Sequence, residues 1–302
     1  MVYMMEYSED MTGKVCIVTG SNSGIGKETA IALAEMGGRL ALVVRSREKG
    51  ETAKNEMVEQ TGNSNIDIFV ADLSEMEQVQ SVAKQIKDTY EKVDVLVNNA
   101  GAIIGDRQET SEGYEMTIAL NHFAPLLLTY ELIPLLAKSE SARVVNVSSA
   151  AHSFGDVDLD DPFYRNSYGS MKAYGTSKLM MIMATKELAT KLEKLDISVN
   201  AVHPGFVRTN FGRSNAGLGS KIFLKLTSPF QRSPEHGAET QIYVASSPEV
   251  NGVTGKYFAD MKEKKPSKKV GNEELRKAVW KFSNNILGLD WDNQIQSVSV
   301  SA

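Results

Sequence analysis

The sequence predicts an α/β protein: a single domain built on a Rossmann-type, doubly wound, seven-stranded parallel sheet flanked by helices. Three observations predict it. Short apolar, β-branched runs alternate with longer helical patterns along almost the whole chain. The first apolar run passes straight into a glycine-rich turn and then into a helix pattern. No internal repeat and no linker divides the 302 residues, a length within reach of one large α/β domain.

The first strand is Lys14 to Thr19. It runs into Gly20-Ser21-Asn22-Ser23-Gly24-Ile25-Gly26, and a helix follows from Lys27 to Met36, ended by Gly37-Gly38. Strand, glycine turn and helix together are a dinucleotide-binding context: glycines let the backbone approach a pyrophosphate, and the helix N-terminus offers free N–H groups and a positive dipole end. The spacing is G-xxx-G-x-G, not the standard G-x-G-x-x-G. The second strand, Arg39 to Val44, ends without the Asp or Glu that binds a ribose 2′-hydroxyl in NAD enzymes. Arg45 follows instead, and a guanidinium can fork onto a 2′-phosphate, which favours NADP(H) over NAD(H).

A helix over 48–60 leads to a third strand, Ile66 to Ala71, with Asp72-Leu73 at its end, where Asp72 can reach an adenine amino group or cap the loop. After a charged helix at 75–91 comes a fourth strand, Val93 to Val97, then Asn98-Asn99-Ala100-Gly101, whose small residues leave room for a ligand across the sheet edge. A long helix over 112–138 carries Asn121. The fifth strand, Arg143 to Val147, ends in Ser148-Ser149. The connection 150–172 is rich in Asp and aromatic residues and is placed to hold substrate. A helix at 173–194 follows; its run Leu179 to Ala184 is apolar nearly all round and is expected to be covered on two sides, by the sheet and by a second subunit. Ile197 to Val202 is a sixth strand closed by His203-Pro204-Gly205. Residues 206–232 read as a mobile flap, 234–245 as a helix, Thr254 to Phe258 as a seventh strand, Lys262 to Lys269 as a solvated basic turn, with a contact for an anionic partner or membrane surface as the alternative, and 271–288 as the last helix. The domain is thus expected at 13–290, with an N-terminal extension at 1–12 and a frayed, flexible tail at 291–302.

Composition narrows the function. A net charge of −5 argues against a general nucleic-acid binder. One cysteine, Cys16, excludes an internal disulfide framework. The four histidines lack metal-ligand spacing and read as structural or surface groups, so no metal is expected. The N-terminus is short and acidic, and the most apolar stretch, Phe123 to Leu136, is too short to span a bilayer. The expectation is a soluble, cytoplasmic protein with no transmembrane segment.

Tyr174 and Lys178 stand four residues apart in a helix pattern, so both side chains leave one face, a turn apart. A tyrosine titrates near pH 10, and a fixed positive charge nearby lowers that value, making a general acid/base for a carbonyl or alcohol. By itself the pair is a weak signal, since a Tyr and a Lys at this spacing occur often by chance, and reads first as a solvated helix face. In order along the chain, Thr19-Gly20 with Gly24 and Gly26, Asp72, Asn98-Asn99-Ala100-Gly101, Asn121, Ser149, Tyr174 with Lys178, and Pro204-Gly205 resemble the short-chain dehydrogenase/reductase family over about residues 12 to 290. Within it, Thr19 to Thr29, Val145 to His152, the long insertion before Tyr174 and Lys256-Tyr257-Phe258 are most similar to the retinol-dehydrogenase-like branch.

The resemblance implies roles. Tyr174 is the general acid in reduction and the base in oxidation. Lys178 lowers its pKa and binds the nicotinamide ribose. Ser149, rather than Ser148, hydrogen-bonds the substrate oxygen, and Asn121 supports a water linking Lys178 to solvent. The turn from Gly20 to Gly26 and Arg45 hold the adenosine phosphates, Asp72 and Leu73 border the adenine, and Asn99, Ala100, Gly101, Pro204, Gly205 and Val207 line the cofactor. The expected activity is NADP(H)-dependent interconversion of a carbonyl and an alcohol on a small apolar substrate such as retinal, a steroid or a lipid aldehyde, in a homodimer or homotetramer. NAD(H)-linked alcohol oxidation and a cofactor-binding regulatory protein without turnover are the alternatives.

Overall fold

The computed structural model describes residues 9–205 and 233–299. Its sheet has eight strands in the order β3-β2-β1-β4-β5-β6-β7-β8: β1 Val15–Thr19, β2 Arg39–Val44, β3 Ile66–Val70, β4 Val95–Asn98, β5 Arg143–Val147, β6 Ser198–His203, β7 Tyr257–Ala259 and β8 Lys262–Lys264. The first seven pair in parallel and β8 is antiparallel to β7. This extra strand corrects the expected basic turn and the count of seven. The correction has a local cause. Asp260 and Met261 both take left-handed φ angles, 54° and 55°, which closes a two-residue hairpin without the Asn-Gly that would announce one. The alternation of apolar and polar residues that marks a strand is also lacking, because all three β8 residues are exposed.

The central strands β1, β4 and β5 are buried on both faces, as near-continuous apolar runs require. Side chains alternate between two cores. Val15 and Ile17 face one, Cys16 and Val18 the other. On the Cys16 side lie α1 Gly24–Glu35, α2 Arg47–Thr61 and the helix Pro234–Ser246. On the Ile17 side lie α3 Met76–Thr89, α4 Met116–Leu136 and α5 Ser170–Leu192. Numbering Pro234–Ser246 as α6, two more helices, α7 Glu273–Leu287 and α8 Trp291–Ser299, lie over α4 and α5 as an outer layer.

That layer corrects two expectations. The supposed flexible tail is helical from Trp291 to Ser299. Trp291 is buried, packs edge-on against Tyr130 at 5.1 Å and donates its indole N–H to Asn284 Oδ1 at 2.8 Å. The second apolar side of α5 is covered by the chain's own Val270, Val279 and Trp291 cluster, so no second subunit is needed to bury it. The N-terminal extension is also tied down where it is described: Met11 is buried and its N–H donates to Met36 O.

Among the described residues, α4 is the one helix long and apolar enough to cross a membrane, and it is mostly buried as a core helix. It starts with a short α-turn, and residues Ala119–Phe123 are a π-helical turn before the α-helix resumes. Such wide turns recur at functional sites because they re-aim side chains. This turn carries Asn121 and His122.

Candidate active site

The order of strands reverses between β1 and β4, and a doubly wound sheet binds its ligands at the carboxyl ends beside such a reversal. The glycine turn leaves β1 there. Its backbone is fixed by a cross-strand clasp. Thr19 Oγ1 accepts from the N–H groups of Asn99 and Ala100, both at 2.9 Å, and Asn99 Nδ2 donates to Thr19 O at 2.8 Å. Gly26 sits inside this clasp. A Cβ there would lie 2.3 Å from Asn99 Nδ2, so no other residue fits. Gly20 and Gly24 turn the chain with φ of 66° and 57°.

Two features of this corner suit a dinucleotide. Ser21 is fully buried, yet its hydroxyl finds no partner among the described residues, a costly arrangement that a phosphate oxygen would relieve. The Ser23 side chain does not cap α1, so the first N–H groups of that helix keep their capacity for an anion. Asn22 and Ser23 complete the turn between them and the helix. Ile25 packs with Ala32, Ala238 and Ile242.

The rim residues fall into two groups. Arg45 is exposed immediately after β2, where its side chain can swing toward the corner. Asp72 follows β3 and is half-used as a cap: its Oδ1 accepts from Ser74 N at 3.0 Å and Ser74 Oγ at 2.6 Å. Both sequence readings of Asp72 are therefore compatible with its place. Leu73 is buried with the α3-side core. Pro204 and Gly205 leave β6 at the same edge, with Gly205 at φ 81°. Val207 lies outside the described residues, as does the expected flap at 206–232.

The reacting groups gather one strand over. Tyr174 is 8 % exposed and shares a hydrogen bond with Ser149, which follows β5. Ser149 is half-exposed and extended, and its Oγ also accepts from Ala151 N at 3.2 Å. Ser148 is buried and spends its hydroxyl on Lys178 O at 3.0 Å, so of the two serines Ser149 is the one facing the opening. Lys178 is 3 % exposed. Its ammonium donates to Val147 O at 2.8 Å and lies 5.7 Å from the Tyr174 ring centre. Asn121 is 1 % exposed; it holds Ala102 by both backbone groups, at 2.9 Å each, and donates to Ser177 Oγ at 3.0 Å. It does not touch Lys178, but Gly101 lies between them: a Cβ there would be 2.9 Å from Asn121 Oδ1 and 3.3 Å from Lys178 Nζ.

The electrostatics differ from the simple expectation that Lys178 lowers Tyr174. Burial dominates both groups. It pushes the Tyr174 phenol up to about 12, against the opposing pull of the Ser149 hydrogen bond. It pulls the Lys178 ammonium down to about 7. The structure thus pairs a protonated phenol at neutral pH with a lysine on the edge of losing its charge. Both states respond to whatever charge binds beside them.

Two further asparagines, one of them in the Asn98-Asn99-Ala100-Gly101 run, also build the site. Asn98 and Asn146, at the ends of β4 and β5, form a buried chain: Asn98 Nδ2 donates to Asn146 Oδ1 at 2.9 Å and Asn146 Nδ2 to Thr185 Oγ1 at 3.0 Å. They fasten α5 to the sheet one helical stretch beyond Tyr174. Asn98 was legible as part of the Asn-Asn-Ala-Gly run, and Asn146 as a lone amide interrupting the apolar strand Arg143 to Val147.

A phosphate-binding corner, a buried Tyr/Lys pair and a serine facing the tyrosine define a nicotinamide-dependent oxidoreductase of the short-chain type. The chain belongs to that family: the profile described as short chain dehydrogenase matches residues 14–217. Human retinol dehydrogenase 13 is 37% identical over 283 residues, covering 92% of this chain and 86% of the relative. Mouse retinol dehydrogenase 12 is 36% identical over 280 residues, covering 93% and 88%. In solved structures, an uncharacterised protein from Mycobacterium paratuberculosis superposes with a TM-score of 0.77 at 26% identity, over 95% of this chain and 98% of that one. A short chain dehydrogenase from Escherichia coli CFT073 complexed with NADPH gives 0.66 at 25%, over 83% and 97%.

Proposed function

We propose that this protein is an NADP(H)-dependent oxidoreductase that interconverts a carbonyl and an alcohol on an apolar substrate, with a retinal/retinol pair as the first substrate to try. The observation that carries the reading is the Ser149–Tyr174 hydroxyl pair above the buried Lys178, at the sheet edge beside the glycine turn. The names of the retinol dehydrogenases above support the substrate class, and the NADPH complex of the E. coli structure supports the cofactor.

In this reading the turn Gly20 to Gly26 and the α1 N-terminus hold the pyrophosphate, Arg45 the 2′-phosphate, and Asp72 the adenine side. Asn99 to Gly101 and Pro204 to Gly205 line the nicotinamide half, and Lys178 meets its ribose. Bound there, the nicotinamide supplies or removes the hydride. The chain's own part is the proton. Tyr174, protonated at neutral pH, gives its proton to the substrate oxygen in reduction, while Ser149 donates a hydrogen bond to the same oxygen as negative charge develops. Oxidation asks Tyr174 to take a proton, so it draws on the phenolate and rises with pH, whereas reduction does not require that ionisation. Asn121 acts one step back, fixing Ala102 and Ser177 around the lysine.

The test is NADPH and NADH oxidation with a panel of carbonyls, all-trans-retinal and aliphatic aldehydes included. Wild-type turnover that prefers NADPH, with kcat lowered about 10²- to 10⁴-fold in Tyr174→Phe, is the expected result. Tight NADPH binding with no turnover on any carbonyl would move the protein to the regulatory class.

A further inference from the structure

The basic segment after β7 reaches back to the serine. Ser267 N–H donates to His152 Nε2 at 2.9 Å, and His152 Nδ1 lies 2.7 Å from Ser149 O. An amide can only donate, so Nε2 must be the bare nitrogen and Nδ1 must carry the proton that goes to Ser149 O. Two backbone groups on opposite sides thus fix one neutral tautomer of a ring that is 4 % exposed and packs edge-on against Tyr257 at 5.1 Å. A second tie runs in parallel. Lys269 Nζ donates to Gly155 O at 2.7 Å and pairs with Asp156 Oδ1 at 3.0 Å. Asp156 N in turn donates to Thr176 Oγ1 at 3.0 Å, two residues past Tyr174. Gly155 is pressed onto α5, where a Cβ would stand 2.4 Å from Gly175 O. The short helical turn Ala150–Phe154 between these ties is therefore held at both ends, by the C-terminal segment on one side and the Tyr174 helix on the other.

We infer that His152 is a positioning residue: together with the Ser267 amide it sets the Ser149 hydroxyl against Tyr174, so that residues 262–271 serve the reaction from a distance. The inference rests on the proposed reductase reading, since Ser149 needs a reaction to be positioned for. It does not require His152 to touch substrate or cofactor. An ångström of slack in such a group costs on the order of ten- to a hundredfold in rate while leaving binding in place.

Ser267 gives a clean way to cut the tie. Its φ of −56° is close to that of proline, so Ser267→Pro removes the donated N–H with little change of backbone, and Ser267→Ala keeps the N–H as the reference. The expected result is kcat for Ser267→Pro about tenfold below Ser267→Ala, with NADPH affinity and melting temperature matched between the two. His152→Asn, which keeps a donor toward Ser149 O, should retain more kcat than His152→Leu at equal NADPH affinity. Nitrogen-15 shifts of the His152 ring should report the Nδ1–H form in the wild type. Equal kcat in the two Ser267 variants, loss of cofactor affinity in parallel with kcat, or an Nε2–H ring overturns the inference while leaving the reductase reading intact. A wild type that binds NADPH and turns over no carbonyl overturns the reductase reading and this inference with it.

Discussion

The two faces of the sheet are built to different depths. The Cys16 face carries one layer of helices, α1, α2 and α6, and its core is lined largely by Ala, Val and Leu. The Ile17 face carries two: α3, α4 and α5, then α7 and α8 over them. Both faces contribute to the candidate site, but differently. In the proposed reading the thin face supplies the glycine turn and the α1 N-terminus, whose backbone N–H groups would hold the cofactor phosphates. The thick face supplies Asn121, Tyr174 and Lys178, side chains that must be dry and fixed. Tyr174 and Lys178 are both shifted by burial in this face, and the outer helices tie to the same helix farther along, at Glu187 and Lys191.

The strongest way to break this comparison is to thin the thick face. Trp291 is buried between Tyr130 and Trp280, with ring-centre separations of 5.1 and 5.2 Å. Trp291→Ala removes both contacts and leaves a cavity, at a cost of about 3–5 kcal/mol. A melt should show that loss, while a titration with NADPH should keep its affinity at temperatures where the variant is folded, because the phosphate corner belongs to the other face. A melting temperature within a degree of wild type would mean that α8 is not part of the fold's support. Light scattering on the same pair tests the cover itself: the full chain should run without a partner on α4 and α5, and uncovering them should promote association.

Much of this was legible in the sequence, and the pattern of misses is physical. Strand–glycine turn–helix, the alternation of elements and the Tyr174/Lys178 spacing are local features, written in adjacent residues, and the structure has each of those elements. The hairpin at Asp260-Met261 was not legible because two ordinary side chains adopt left-handed backbone there. The outer layer was half-legible. The all-round apolar run of α5 announced that something covers it, but periodicity cannot say whether the cover is another subunit or the chain's own next helix. The tail carries Trp291, Ile295 and Val298 at helical spacing, and that was the available signal. The tie from Ser267 to His152 spans 115 residues and uses a backbone amide, which no side-chain pattern records. The direction of the Tyr174 shift was not legible for a related reason: charge proximity shows in the sequence, whereas burial is a property of the packed whole.

The thin face makes a smaller prediction. Arg45 is exposed at the end of β2 and is the cation nearest in sequence to the place where an acid would select NAD. Charge-assisted hydrogen bonds from such a group contribute about 1.5–3 kcal/mol. Arg45→Asp should therefore swing the NADPH-to-NADH preference, measured as the ratio of kcat/KM values, by roughly ten- to a hundredfold. Because the substitution is on the surface of the thin face, the melting temperature should hold. An unchanged ratio would show that another group, or none, reads the 2′-phosphate.

The smallest effect comes from the π-turn of α4, where the inner and outer layers of the thick face are joined. Ser283 Oγ on α7 donates to Val279 O at 2.9 Å, so at 2.7 Å from His122 Nε2 it can only accept. His122 is therefore the Nε2–H tautomer, and its buried Nδ1 finds no hydrogen-bond partner among the described residues. Burial pulls the ring's pKa down to about 3. An unfolded histidine titrates near 6.5. Between those values the unfolded chain binds a proton that the folded chain refuses, so the stability His122 contributes is full above pH 6.5 and is lost progressively as pH falls toward about 3. From pH 7.5 to 5.5 the loss is about 1 kcal/mol for one such group. His152, whose pKa is also lowered by burial, adds loss of the same sign. His122→Gln keeps a donor for Ser283 and has nothing to titrate, so its denaturation midpoints should fall less steeply over that range than those of wild type. Parallel slopes for the two proteins would mean that α7 is not held to α4 by a neutral histidine, and the junction between the two layers would have to lie in the aromatic contacts of Phe123 and Phe282 instead.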